Sequence, residues 1–193
     1  GVVRRTPLHP QWLLGSDQAR AKCLNGITSG RILDIGCADR WVQRHLPREC
    51  EYIGVDYLET GVDIYSSRPD IFADASCLPL SDSSVDVVVL LEVIEHLKLP
   101  REALLEIARV LKPNGKLVMS VPYLYPIHDA PHDYQRFTEH GLKREIEAAG
   151  LVLREMKPSL GAMETAGLIA CLAMAGASLE ALRQRRLSAI LIP

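Results

Sequence analysis

The chain has 193 residues, 48% hydrophobic and 24% charged, which excludes a disordered chain and suits one buried core of single-domain size. With 22 Lys and Arg against 24 Asp and Glu, the formal charge of −2 argues against a dedicated nucleic-acid binder, which presents a basic face. Cys23, Cys37, Cys50, Cys77 and Cys171 form no CxxC pair, so reduced thiols and a cytoplasmic setting are expected rather than a disulfide framework.

The chain starts at Gly1 rather than Met, so a trimmed start is expected, and no basic-then-apolar signal segment is visible. The spacing of Trp12, Leu13, Ala19, Cys23 and Leu24 predicts a helix over 10–25, stopped by Gly26. Ile32, Leu33 and Ile35 then predict a first strand that breaks at Gly36. Trp41, Val42, His45 and Leu46 mark a short helix ended by Pro47. Strands are expected at 52–55, 71–73 and 85–91, the last a continuous apolar run like a central strand covered on both faces. An amphipathic helix over 100–111 leads to a fifth strand at 116–121. A loop rich in aromatic, His and Pro residues follows, from 123 to 137. Thr138 reads as the N-cap of a helix over 139–149, Gly150 as its terminator, and 151–156 as a sixth strand. Residues 161–177 read as an Ala-rich helix. The longest weakly polar run, 160–179, contains Glu164 and is marginal as a membrane span. Strands alternating with helices predict an α/β fold, a doubly wound, mostly parallel sheet with helices on both faces.

Four strands in succession end on an acid: Asp34, Asp56, Asp74 and Glu92. Any one could be a turn former, but in a parallel sheet all four ends share one edge and one crevice. Asp56, twenty residues after Gly36, is placed to accept both hydroxyls of a ribose. Asp74, followed by Ala75, can accept from the exocyclic amine of an adenine. Asp34 and the backbone near Gly36 would face a charged, amino-acid-like tail. The turn lacks the third glycine of a GxGxxG loop, and acids would repel a pyrophosphate. A nucleoside with a cationic or zwitterionic tail is therefore expected; S-adenosylmethionine fits that description and a nicotinamide dinucleotide fits it poorly.

From Ile32 to Asp39, the stretch Ile-Leu-Asp-Ile-Gly-Cys-Ala-Asp resembles motif I of the class I S-adenosylmethionine-dependent methyltransferases. The similarity continues through residues 52–56, 73–80, 85–97 and 109–115, and the ordered set resembles the type 11, small-molecule branch of that family. It covers about residues 30–155. The resemblance implies a Rossmann-like methyltransferase fold and an S-adenosylmethionine site built from Asp34, Gly36, Cys37, Asp56, Tyr57, Asp74, Ala75 and Glu92. The segments expected are a helical 1–29, a cofactor-binding 30–157 and a helical tail 158–193.

Two positions depart from the family pattern. Ala38 stands where a second glycine is usual, and Arg40 puts a cation where glycine often occurs, narrowing the pocket or pairing with Asp39. For methyl transfer to oxygen or nitrogen, the loop after strand five offers His128, His132 and Asp133 as catalytic candidates. Asp129 or Asp133 would orient a neighbouring histidine to take a substrate proton. The alternative is a hydrogen-bonded brace of Asp133, Tyr134 and Arg136. No metal is expected, because Pro131 breaks the helix that a His128–His132 pair of ligands would need. His96 follows Glu92 and Glu95 and is placed either at the crevice or in a helix start. Expected partners are a small-molecule methyl acceptor and, through the Ala-rich helix, a second copy of the chain; no nucleic acid is expected. The alternatives are a non-catalytic S-adenosylmethionine-binding module and a nicotinamide-dependent dehydrogenase.

Overall fold

β1 (Gly30–Ile35) buries its last four residues, and β4 (Val85–Leu91) is apolar apart from Asp86, so both strands need cover on both faces. In the computed structural model, which describes residues 16–190, a parallel sheet with crossover helices supplies that cover. Its five strands run in the order β3-β2-β1-β4-β5, with β2 (Cys50–Asp56), β3 (Ile71–Phe72) and β5 (Leu111–Ser120). The chain steps outward from β1 to β3, then returns to the far side of β1 with β4. The reversal opens a crevice beyond the carboxyl ends of β1 and β4.

The two faces carry separate apolar clusters. On one, Ile32, Val87 and Val89 meet Leu24 and Ile27, which follow α1 (Ser16–Cys23), and Val42 of α2 (Trp41–His45). On the other, Leu33, Val88 and Leu90 meet Leu104, Ile107 and Val110 of α3 (Pro100–Val110) and Leu142 and Ile146 of α4 (Glu139–Ala148). Adjacent strand residues point to opposite faces, so the doubly wound expectation is met residue by residue. Thr138 caps α4 as expected, accepting the Gly141 N–H at 3.0 Å.

Residues 151–156, expected as a sixth strand, form no strand; the segment is irregular. Leu151, Leu153 and Met156 pack against the cluster of α3 and α4. Alternation reports one buried face, not a hydrogen-bonding neighbour. β5 starts earlier than expected: Leu111 pairs with Val85, a bulge intervenes, and pairing resumes at Val87 and Lys116. Of the stripe expected over 10–25, Leu24 is buried and Cys23 exposed. Trp12 and Leu13, the side chain of Ala19 and the terminal residues 191–193 lie outside what is described.

Arg20–Met156 is one compact unit, and α5 (Ala162–Ile190) belongs to a second. Among the described residues no helix is long and apolar enough to cross a membrane.

Candidate active site

The turn after β1 is shaped by one close approach. Gly36 has φ +76°, and a Cβ there would lie 2.4 Å from Val93 Cγ2, so only glycine fits. Its N–H and that of Cys37 donate to the Val55 carbonyl at 2.8 and 3.1 Å. Ala38 (φ +42°) and Arg40 (φ +61°) adopt the left-handed conformation that glycine would favour, so the turn keeps its path despite both departures. The Ala38 N–H donates to Asp56 Oδ2 at 3.0 Å, and the Tyr57 N–H to Asp56 Oδ1 at 2.9 Å. Asp56 therefore ties the end of β2 to the turn. Arg40 neither narrows the cleft nor pairs with Asp39. Its guanidinium grips Asp70 with two 3.0 Å bonds and lies 4.9 Å from the centre of the Tyr52 ring. Asp39 pairs instead with Arg44 at 2.8 Å.

Beyond these strand ends lies a cleft of about 260 Å³, lined by Asp34, Gly36, Cys37, Asp56, Tyr57, Asp74, Ala75 and Glu92 together. The convergence expected of the four acids is thus observed. Asp34 is 2% exposed, and the Tyr52 hydroxyl donates to its Oδ2 at 2.6 Å. Burial, reinforced by the charge of Asp56, pushes its carboxyl up to about 7. Burial likewise raises Asp56 and pushes the Cys37 thiol up to about 12, so Cys37 stays an uncharged thiol. Asp74 is exposed and holds the next turn, its Oδ1 accepting from the Ser76 N–H at 2.8 Å and hydroxyl at 2.7 Å. Six carboxylates line the cleft against two fixed cations, Arg20 and Lys98, a balance that favours a cationic ligand. A second cavity, about 290 Å³, lies at the opposite strand ends, where Lys112 already pairs with Asp86 at 2.8 Å.

The loop over 123–137 separates the catalytic candidates. His132 lines the cleft, beside His96, Asp129 and Tyr134. Asp133 lies behind it: Arg136 Nη2 donates to its Oδ2 at 2.7 Å and the His128 N–H at 2.9 Å. The Arg136 guanidinium holds the Asp133 carboxyl well below the usual carboxylate range, so Asp133 is a brace and an orienting group rather than a proton acceptor. His128 Nδ1 sits 3.2 Å from Asp133 Oδ2, as expected of an oriented histidine. The Tyr65 hydroxyl donates to Asp129 Oδ2, and both residues line the cleft.

Three features escape sequence reasoning: the Tyr65–Asp129 contact, the lock of Val93 on Gly36, and the burial of Glu95. Glu95 is 0% exposed, and burial together with Glu92 pushes its carboxyl up to about 8. Its one sequence signal is an acid set among Val93, Ile94 and Leu97. The other two join residues far apart in the chain and leave no local signal.

Comparison with known proteins agrees with this geometry. Residues 33–119 match the family described as "Methyltransferase domain". The chain is 30% identical over 178 residues to a ubiquinone biosynthesis O-methyltransferase of Alkalilimnicola ehrlichii, covering 78% of this chain and 72% of the relative. A solved S-adenosylmethionine-dependent methyltransferase of Aquifex aeolicus superposes with a TM-score of 0.56 at 18% identity, over 73% of this chain and 82% of that one. A cyclase superposes with a TM-score of 0.57 at 23% identity, over 72% and 58%. At those identities the structures speak for the fold alone. A probable S-adenosylmethionine-dependent methyltransferase of Mycolicibacterium smegmatis, 35% identical over 171 residues (80% of this chain, 63% of the relative), carries the cofactor that the acid-lined turn suits, and the chain belongs to the class I, type 11 S-adenosylmethionine-dependent methyltransferases.

Proposed function

We propose that this methyltransferase moves the methyl group of S-adenosylmethionine to an oxygen or nitrogen of a small-molecule acceptor. The observation that carries the reading is the Tyr65–Asp129 contact between two residues lining a cleft of only about 260 Å³. Small-ligand pockets run from roughly 300 to 1,000 Å³, so a nucleoside cofactor leaves little room and favours a compact acceptor. The O-methyltransferase name of the curated relative agrees with oxygen as the methylated atom.

Each acid has a task in this reading. Asp56 and Asp74 hold the ribose and adenine, while Asp34 and the Gly36 turn face the amino-acid tail. Bound there, S-adenosylmethionine would supply an electrophilic methyl group for an acceptor held in line with the C–S bond, opposite the sulfur, with the C–S electron pair returning to sulfur to leave S-adenosylhomocysteine. His132, at the cleft wall, accepts the proton that the acceptor releases. Five cysteines with no CxxC pair suit a reducing, cytoplasmic setting.

Calorimetric titration with S-adenosylhomocysteine tests the site. The native chain is expected to bind in the micromolar range, and Asp56→Ala to lose at least tenfold. No binding by the native chain would overturn the reading. Incubation of hydroxyl and amine acceptors with the cofactor, read by mass spectrometry, then separates oxygen from nitrogen transfer.

A further inference from the structure

Glu95 has 0% exposure, yet neither of its carboxylate oxygens has a hydrogen-bond partner among the described residues. A buried carboxylate left so carries a desolvation penalty that folded chains avoid unless the group has another use. Two imidazoles face it. His96 Nε2 lies 3.7 Å and His128 Nε2 4.0 Å from Glu95 Oε1, and the three donor atoms fall within 4.8 Å of one another.

The hydrogen bonds behind the rings set what those nitrogens present. His96 Nδ1 is 2.9 Å from the His132 carbonyl, which can only accept, so Nδ1 carries the proton and Nε2 a lone pair. His128 Nδ1 faces two acceptors, Asp133 Oδ2 at 3.2 Å and the Pro126 carbonyl at 3.3 Å. The single donor nearby, Arg136 Nη2, is farther away at 3.4 Å. His128 Nε2 therefore also presents a lone pair. Two imidazole nitrogens and a buried carboxyl group thus converge without a hydrogen bond among them, and the rings are held from behind as in metal sites.

We propose that Glu95, His96 and His128 bind a divalent transition cation, with open coordination positions toward the acceptor end of the cleft. Two imidazoles and one carboxylate suit manganese, cobalt or zinc better than magnesium or calcium. Donors around a cation at about 2.1 Å stand roughly 3.0–3.4 Å apart, so the two carboxyl–imidazole pairs close by about 0.3–1.0 Å on loading and a pair at the 4.8 Å limit by about 1.4 Å or more. The cluster is not a His128–His132 pair along one helix. Only His128 is shared, and the ligands meet across the fold rather than along a helix, so Pro131 is no obstacle. How the cation is used rests on the methyltransferase reading. His96 lines the cleft, so a cation held there would polarise the acceptor hydroxyl and ease the passage of its proton to His132.

Cobalt is the probe, because its visible absorption reports ligand number. Chelator-treated full chain titrated with Co²⁺ is expected to give one equivalent of bound metal with a five- or six-coordinate spectrum. Glu95→Gln and His128→Ala are each expected to weaken binding at least tenfold. Glu95→Gln keeps the side chain's size and polarity, so loss of folding does not confound it, and S-adenosylhomocysteine binding by each variant confirms an intact cofactor site. No cobalt spectrum at millimolar metal, or binding unchanged in Glu95→Gln, overturns the site even when S-adenosylhomocysteine binds. Cobalt binding without S-adenosylhomocysteine binding keeps the metal site and overturns its proposed use.

Discussion

Ala38 holds φ +42°, where the methyl group crowds the backbone by roughly 1–2 kcal/mol. Glycine would relieve that strain but gains freedom in the unfolded chain, which offsets part of it. Ala38→Gly is therefore expected to stabilise the protein by about 0.5–1 kcal/mol, read as a higher urea midpoint at unchanged slope. S-adenosylhomocysteine affinity should hold, because the N–H to Asp56 is a backbone group. At this scale the sequence was informative where chemistry is local. Asp34, Asp56, Asp74 and Glu92 were legible because each lies at or just past the carboxyl end of a strand. The partner of Arg40 was not, since Asp70 is brought to it by the pairing of β2 with β3. Glu95 was equally opaque, because its two imidazole neighbours come from opposite ends of a long connection.

α3 is more than a cover for the sheet. Its Arg109 donates to the Leu80 and Leu78 carbonyls at 2.7 and 3.0 Å and to Asp82 at 2.7 Å. Glu106, paired with Arg109 at 2.7 Å, accepts the Leu78 N–H at 2.8 Å. The helix thereby clamps the chain that follows Asp74 and Ala75. Arg109→Met keeps much of the stem's packing but strips two carbonyls and two carboxylates of a donor. It is expected to cost about 2 kcal/mol in chemical denaturation and to weaken S-adenosylhomocysteine binding severalfold. Elements were the most legible level: runs such as 85–91 and the Thr138 cap state their structure outright. Residues 151–156 misled, because a half-buried alternating segment needs no strand partner to bury that face.

For the molecule as a whole, the acids give a definite pH dependence. Asp34 is raised from 3.8 to about 7 by burial, and Asp56 is raised as well. Glu95 is raised to about 8, so the native state holds protons that the unfolded chain has already lost, and stability falls as pH rises from about 4 to 8 and levels off above. Asp34 alone accounts for up to roughly 4 kcal/mol of that fall. Urea unfolding between pH 4 and 8 should show it, and Asp34→Asn should flatten it. The same comparison explains why the overall fold was readable while the electrostatics was not: periodicity reports which face is buried, and the sign of a shift depends on what surrounds the acid there.

The sheet is therefore electrically two-ended. At the amino end of β4, Asp86 accepts from the Arg31 N–H and from Lys112, and those bonds hold its carboxyl below the usual range. At the opposite end, burial raises Asp34, Asp56 and Glu95. One rim carries charge as mortar, and the other carries it as a spring held compressed until a cation arrives. Substituting acids for stability acts with opposite sign at the two rims: loss of Asp86 loosens the protein, while loss of Asp34 firms the protein and blunts what it is for.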